Sequence, residues 1–263
     1  MTSTQASSRL ESGLRLRPLA LAVLSLGMAP ALAQIAPNTL PTGFAGVAGG
    51  LSVNSSPGVM NILQTTPRAI AQWQSFSIGS SSTVNVAQPG ITSVLLSRVV
   101  GSDPSIIAGS LNANGHVFLV NPSGVLFAKG SSVNVGGLVA STLNIADDNF
   151  MAGGRLVFER AGDNMASVVN VGTITAARGG TVALMGETVR NDGTIAAPQG
   201  AIGLVSARKV IVDFNGDGLT TFTIPADSAA TTALVTNTGT LVADGGLVSM
   251  QACLLYTSPS PRD

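Results

Sequence analysis

Three segments of the chain lie over one another residue for residue, and this self-similarity limits the fold more than any other feature. Asn170-Val-Gly-Thr-Ile174, Asn191-Asp-Gly-Thr-Ile195 and Asn237-Thr-Gly-Thr-Leu241 share the pattern Asn-x-Gly-Thr-(Ile/Leu). Each runs through a glycine turn into a short apolar stretch, ending at Leu184, Leu204 and Met250. The first two start 21 residues apart and the third 46 residues later, a gap that reads as two periods plus a small insertion. One short supersecondary unit repeated at about 20 residues cannot bury its apolar face alone and must stack on its copies. Few stretches favour helix, so the stack is expected to be a parallel β-helix, each coil adding about 4.8 Å. Asn and Gly recur at the bends because both tolerate positive φ, and a buried Asn can ladder to its copy in the next coil. A sandwich or barrel seldom yields a self-matching unit of this length.

Upstream, Leu51-Ser-Val53, Val59-Met-Asn-Ile-Leu63, Thr83-Val-Asn-Val86, Val117-Phe-Leu-Val120 and Val133-Asn-Val135 alternate or run apolar, with Pro104 and Pro122 as punctuation. Val210-Ile-Val-Asp-Phe-Asn-Gly-Asp-Gly-Leu-Thr-Thr-Phe-Thr-Ile224 departs from the repeat. Two β-rich arms around a glycine-rich tip predict a hairpin, which would stretch the third period.

Both ends differ from this body. Arg9, Arg15 and Arg17 precede an apolar run from Leu19 to Met28, and Ala31-Leu32-Ala33 follows. A basic start, a short apolar core and small residues before Gln34 make residues 1–33 a secretory signal peptide, too short in its apolar part for a membrane anchor. At the other end, residues 253–263 hold the only Cys and the only Tyr. They resemble the conceptual translation of a transposase adapter used in preparing sequencing libraries, so this tail is read as an artefact and the natural chain as truncated at Ala252. Residues 34–252 then form one domain of nine basic and eleven acidic residues, net charge −2, without cysteine. That balance excludes the basic stripe a nucleic-acid partner would need. A hydrophobic share of 45% excludes a disordered chain.

Residues able to carry chemistry are few. Asp213-x-Asn215-x-Asp217-Gly218 opens like a calcium loop, but its twelfth position is Ile224 where a bidentate Glu belongs; an Asx-rich hairpin turn explains the same residues. His116 stands alone and reads as a surface or turn residue, without the partners a triad or zinc site requires. Parallel β-helices also house carbohydrate-active enzymes, which need paired carboxylates on one face. Here Asp147 and Asp148 are adjacent, so on a strand they would face opposite ways, and Glu187 with Arg190 makes an ordinary surface pair. No cofactor, metal or catalytic residue is assigned, and the chain is not read as an enzyme.

The stretch Arg98-Val-Val-Gly-Ser-Asp-Pro-Ser-Ile-Ile-Ala-Gly109 through Gly115-His-Val-Phe-Leu-Val-Asn-Pro-Ser-Gly-Val-Leu-Phe-Ala-Lys-Gly130 resembles the N-terminal secretion domain of two-partner secretion exoproteins, the filamentous haemagglutinin family. Trp73-Gln-Ser-Phe-Ser-Ile-Gly79 is similar to its upstream Trp-x-x-Phe-x-Ile-Gly strand, and the likeness runs from about Ala36 to Ala252. The family's Asn-Pro-Asn-Gly-Ile motif stands here as Asn121, Pro122, Ser123, Gly124 and Val125, with Ser and Val conserving turn and strand character. The companion Asn-Pro-Asn-Leu motif is absent; Ser102-Asp-Pro-Ser105 lies in its neighbourhood.

The resemblance implies an all-β fold, a right-handed parallel β-helix (solenoid) with a small extra hairpin. It also implies Sec export and recognition by an outer-membrane β-barrel transporter with periplasmic docking domains, where strand augmentation would suit the lightly charged segments. The product would be secreted or held at the surface of a Gram-negative bacterium. A missing passenger would carry the activity: an adhesin or haemagglutinin engaging a host-cell or surface receptor, with a cytolysin or a contact-dependent inhibition toxin as alternatives. A separate alternative reads the chain itself as a free-standing, secreted β-helix carbohydrate-active enzyme.

Overall fold

The computed structural model describes residues 35–160, 162, 165–214, 220–225 and 234–253. The signal segment, positions 215–219 with Asn215 and Asp217, and the tail after Cys253 lie outside the described residues.

Each coil visits three parallel sheets in turn. The first face carries Val59–Gln64, Thr83–Ala87, Ser110–Ala113, Ser132–Val135, Thr173–Ala176, Thr194–Ala196 and Thr240–Val242. The second carries Arg68–Trp73, Val94–Val99, His116–Val120, Gly137–Ser141, Thr181–Gly186, Ala201–Ser206 and Leu247–Ala252. Ser105–Ile107, Val125–Phe127, Ser167–Asn170, Thr188–Asn191 and Leu234–Asn237 make the third. Neighbours within each face pair in parallel, the arrangement of a β-helix. At the N-terminal end the pattern breaks. Ala45–Ala48 lies antiparallel on Arg68–Trp73 with a bulge between Gly46 and Ala48, and Leu51–Ser56 lies antiparallel on Val59–Gln64.

Strand alternation builds the core. On the first face every second residue points inward, so Val84, Leu111, Val133, Ile174 and Ile195 share one register column and are fully buried. The coils are in intimate contact at the bends. Gly136, Gly180, Gly200 and Gly246 form a column in which a Cβ on each would strike the backbone of the glycine one coil before.

Apart from its last strand, Leu247–Ala252, the second face is buried on both sides, which is why its strands read as continuous apolar runs such as Val117-Phe-Leu-Val120. Val117 and Leu119 enter the inner core, while Phe118 and Val120 enter a second apolar cluster outside it. Two excursions supply that outer cover. After Ser141 the chain forms Asn144–Ile145, a short helix Asp147–Ala152 and Arg155–Glu159 before re-entering at Ser167. After Ser206 it forms Lys209–Phe214 and Thr220–Thr223 before re-entering at Leu234. The excursions pair with each other as one antiparallel sheet, Arg155–Glu159 against Lys209–Phe214. Phe150, Phe158, Val210 and Phe222 thereby cover Ile70, Leu96, Phe118 and Met185. Phe222 packs so closely that its ring occupies the place of a Cβ on Gly203.

Three sequence expectations change. The hairpin at 210–224 exists, but as half of this larger sheet. The 46-residue gap is a single coil carrying an excursion, because Asn191 and Asn237 pair in adjacent strands. Asp147 and Asp148 sit in the first turn of the helix, where carboxylates favour the helix dipole, and not on a strand.

Candidate functional site

Asn121 to Val125 forms the corner between the second and third faces. Pro122 holds the second position of a turn closed by Gly124 N donating to Asn121 O at 3.0 Å. Asn121 Oδ1 accepts from Ser123 N at 2.9 Å, an Asx turn nested inside it. Gly124 has φ of 119°, a conformation open to glycine and strained for other residues. The Asn121 amide also reaches across to the preceding coil, where Nδ2 donates to Asp103 O and to Ser105 Oγ, both at 3.0 Å. Ser105 N in turn donates to Gly124 O at 2.9 Å. The fully buried Asn121 therefore staples the turn to the Ser102–Ser105 segment. Val125 then starts the third-face strand against Ser105 and Val168. Only Pro122 and Ser123 of the five keep part of their surface in water.

The upstream Trp-x-x-Phe-x-Ile-Gly segment fills the N-terminal end of the core. Trp73, Phe76 and Ile78 are buried. The Trp73 ring meets Phe76 edge-on at 5.4 Å and Phe44 at 5.1 Å. Gly79 lies where a Cβ would collide with the carbonyls of Ala36 and Pro37, so the incoming chain needs a glycine there.

Two arginines on the outer side of the second face hold the first excursion. Arg98 Nε donates to Asn144 Oδ1 at 3.0 Å, Nη1 pairs with Asp147 Oδ1 at 2.6 Å, and Nη2 donates to Ile145 O. Arg68 Nη1 donates to Phe150 O at 2.9 Å, its guanidinium lying 5.4 Å from the centre of the Phe150 ring. Partners 46 to 82 residues away left no local signal for either role.

The other sequence candidates separate. Glu187 takes Arg160 at 2.7 Å in an almost water-free pair, while Arg190 takes Asp192 at 2.6 Å in solvent. The hydrogen bond from Arg190 holds the Asp192 carboxyl below its ordinary range. Asp213 lies on the hairpin arm in register with Arg155 and Thr221. Among the described residues no group of three or more His, Cys, Asp or Glu could hold a metal ion. His116 opens a second-face strand, and burial, with Arg68 nearby, lowers its pKa. Amide ladders went further than expected. Asn170 Nδ2 donates to Asn191 Oδ1 and Asn191 Nδ2 to Asn237 Oδ1, both at 2.7 Å. Gln88 Nε2 donates to Gln64 Oε1 at 3.0 Å in a second buried ladder.

A model of the TPS secretion domain matches residues 34–253. A heme/hemopexin-binding protein of Haemophilus influenzae strain Rd is 36% identical over 164 residues, which cover 60% of this chain and 18% of the relative. A second heme/hemopexin-binding protein of Haemophilus influenzae is 42% identical over 86 residues, covering 33% of this chain and 9% of its own. The chain thus matches less than a fifth of either relative's length. The crystal structure of the HMW1 secretion domain from Haemophilus influenzae superposes with a TM-score of 0.72 at 28% identity, covering 80% of this chain and 57% of that one.

Proposed function

Because the chain belongs to the TPS secretion-domain family, we propose that residues 34–252 are the export module of a large surface protein. An outer-membrane β-barrel transporter of a Gram-negative bacterium would recognise it after a signal peptide at 1–33 has directed Sec export. The observation that carries this reading is the match of the family over nearly the whole β-helix, with Asn121, Pro122 and Gly124 of its turn motif kept and folded into the turn. The domain's part is recognition and folding, not catalysis.

The burial of Asn121 favours a particular order of events. In the folded domain its amide is spent on Asp103, Ser105 and Ser123. A transporter that reads Asn121 must do so before the coils close, and the same side chain then locks two coils together. The passenger would be an adhesin or haemagglutinin that engages a host-cell or surface receptor. The names of the two Haemophilus relatives favour a second reading, a passenger that binds haem or hemopexin.

Co-expression with a cognate two-partner transporter, with the exported chain measured in the medium, tests both points. Asn121→Ala should abolish export. Ser105→Ala, which removes one staple bond and leaves the motif intact, should export normally. Equal loss in both variants would reduce the motif to a folding element, and wild-type export without the transporter would overturn the assignment. Amino-terminal sequencing of the exported chain should begin at Gln34.

A further inference from the structure

The outer side of the first face carries an ordered array that lies apart from the turn at Asn121–Val125. Its eight strands carry no Asp, Glu, Lys, Arg or His. Parallel register places Thr83, Ser110, Ser132, Thr173, Thr194 and Thr240 in one outward column of hydroxyls. Two residues along each strand, Asn61, Asn85, Asn112 and Asn134 form a parallel column of amides. The amides are tied to one another: Asn85 Nδ2 donates to Asn61 Oδ1 and Asn112 Nδ2 to Asn85 Oδ1, both at 3.0 Å. Asn134 Nδ2 donates to Asn112 Oδ1 at 3.4 Å. The two middle rungs, Asn85 and Asn112, each spend one N–H and one acceptor lone pair on the ladder, while Asn134 gives its amide also to Ser132 Oγ at 3.1 Å; a carboxamide has two N–H groups and two lone pairs. Rigid amides with donor and acceptor capacity left over therefore repeat at about 4.8 Å along the stack.

Beside the amide column lies a groove of about 530 Å³, lined by Asn85, Ala87, Asn112, Asn114 and Asn134 among others. Asn114 is fixed at its rim by a reciprocal pair with the Gln88 backbone, accepting from Gln88 N at 2.8 Å and donating to Gln88 O at 2.9 Å. We propose that this groove and the amide and hydroxyl columns flanking it bind an extended neutral glycan running along the solenoid axis. Three features select that class. Carboxamides donate and accept together, as vicinal sugar hydroxyls require. Strands without charge match a polymer without charge and offer no ion pair to an acidic one. The rung repeat lies close to the advance of one sugar in an extended β-1,4-linked chain, so successive residues meet equivalent amides. A second copy of this chain fits less well, because the face lacks the apolar centre of a stable protein interface. The proposal is independent of export, so its failure leaves the secretion reading intact.

The experiment titrates the purified full chain with cellohexaose and, separately, with a heparin hexasaccharide, following backbone amide shifts by NMR. Cellohexaose should move Asn85, Asn112 and Asn134 saturably, and heparin should not. Ala87→Arg fills the groove from an exposed lining position while leaving the ladder amides in place, and should weaken cellohexaose binding by about tenfold or more. Ala152→Arg, in the exposed last turn of the excursion helix, should bind as wild type. Absence of saturable shifts with the folded wild type, tighter heparin binding, or equal binding by Ala87→Arg would each overturn the proposal. So would slowed ice growth by a chain that ignores cellohexaose, since the lattice would then be ordering water.

Discussion

The amide of Asn191 donates to Asn237 Oδ1 at 2.7 Å across 46 residues of sequence, and the amide of Asn170 donates to Asn191 Oδ1 at the same distance across 21. Equal geometry from unequal spacing means that the stack advances by one coil whether or not the chain makes an excursion in between. The excursion leaves after Ser206 and returns at Leu234 without disturbing the register of the third face.

Asn191 is the middle rung of that ladder and serves both neighbours. Asn191→Ala would leave Asn170 Nδ2 and Asn237 Oδ1 without this partner inside the corner. A loss of about 1–3 kcal/mol is expected, measured as a fall in the urea midpoint with an unchanged m-value. A change in m-value would show that the corner had come apart and not merely lost a bond.

Phe118 anchors the cover to the solenoid. It meets Phe150, Phe158 and Phe214 at centroid distances of 5.8, 6.1 and 5.8 Å, so it touches both excursions at once. Phe118→Ala should cost about 3–5 kcal/mol. Hydrogen exchange should show the protection lost first from Arg155–Glu159 and Lys209–Phe214, ahead of the parallel faces. Uniform loss across the molecule would mean that cover and coils unfold as one unit.

How much of this was legible depends on the range of the signal. The repeat was readable because Asn170, Asn191 and Gly172 recur locally at coil spacing, and the buried Asn ladder follows from one polar residue per coil at the same bend. The Val210–Ile224 hairpin was readable because its arms are adjacent. The pairing of Arg155–Glu159 with Lys209–Phe214 was not, since it joins segments some 50 residues apart that share no pattern. That missing pairing made the 46-residue gap look like two coils. Arg98, quoted only as part of a family stretch, gave no hint of its bonds to Asn144 and Asp147, because an arginine on a strand looks like a surface residue until something is laid over it. At the motif, the turn at Asn121–Gly124 was legible from Pro and Gly, whereas the staple to Asp103 and Ser105 required the coil below.

Gly200 tests the tolerance of the glycine column. A methyl group there would strike the backbone of Gly180, which cannot rotate away as a side chain could. Gly200→Ala should destabilise by about 1–3 kcal/mol. Thermal unfolding at neutral pH would detect it; a neutral or raised midpoint would show that adjacent coils can separate locally.

His116 gives the stability a pH dependence with a definite sign. Burial first, and the Arg68 guanidinium second, lower its pKa in the folded protein. Above the ordinary histidine value of 6.5 both states are neutral and the full stability is present. As pH falls through that value the unfolded chain binds a proton that the folded one resists, so stability declines toward the lowered pKa. His116→Gln should flatten the difference between urea midpoints at about pH 7.5 and about pH 5.5. An undiminished difference would assign the acid sensitivity to other groups.

The antiparallel strands at the N-terminal end have a consequence for how these molecules behave in a crowd. A stack of parallel coils exposes at each end a ready template for another stack, and identical modules could concatenate into fibres. Ala45–Ala48 spoils that template at one end: it is four residues long, runs the opposite way to the strands beside it, and is bent by the bulge at Gly46–Ala48. Polymerisation by end-to-end stacking therefore has no matching partner at this end.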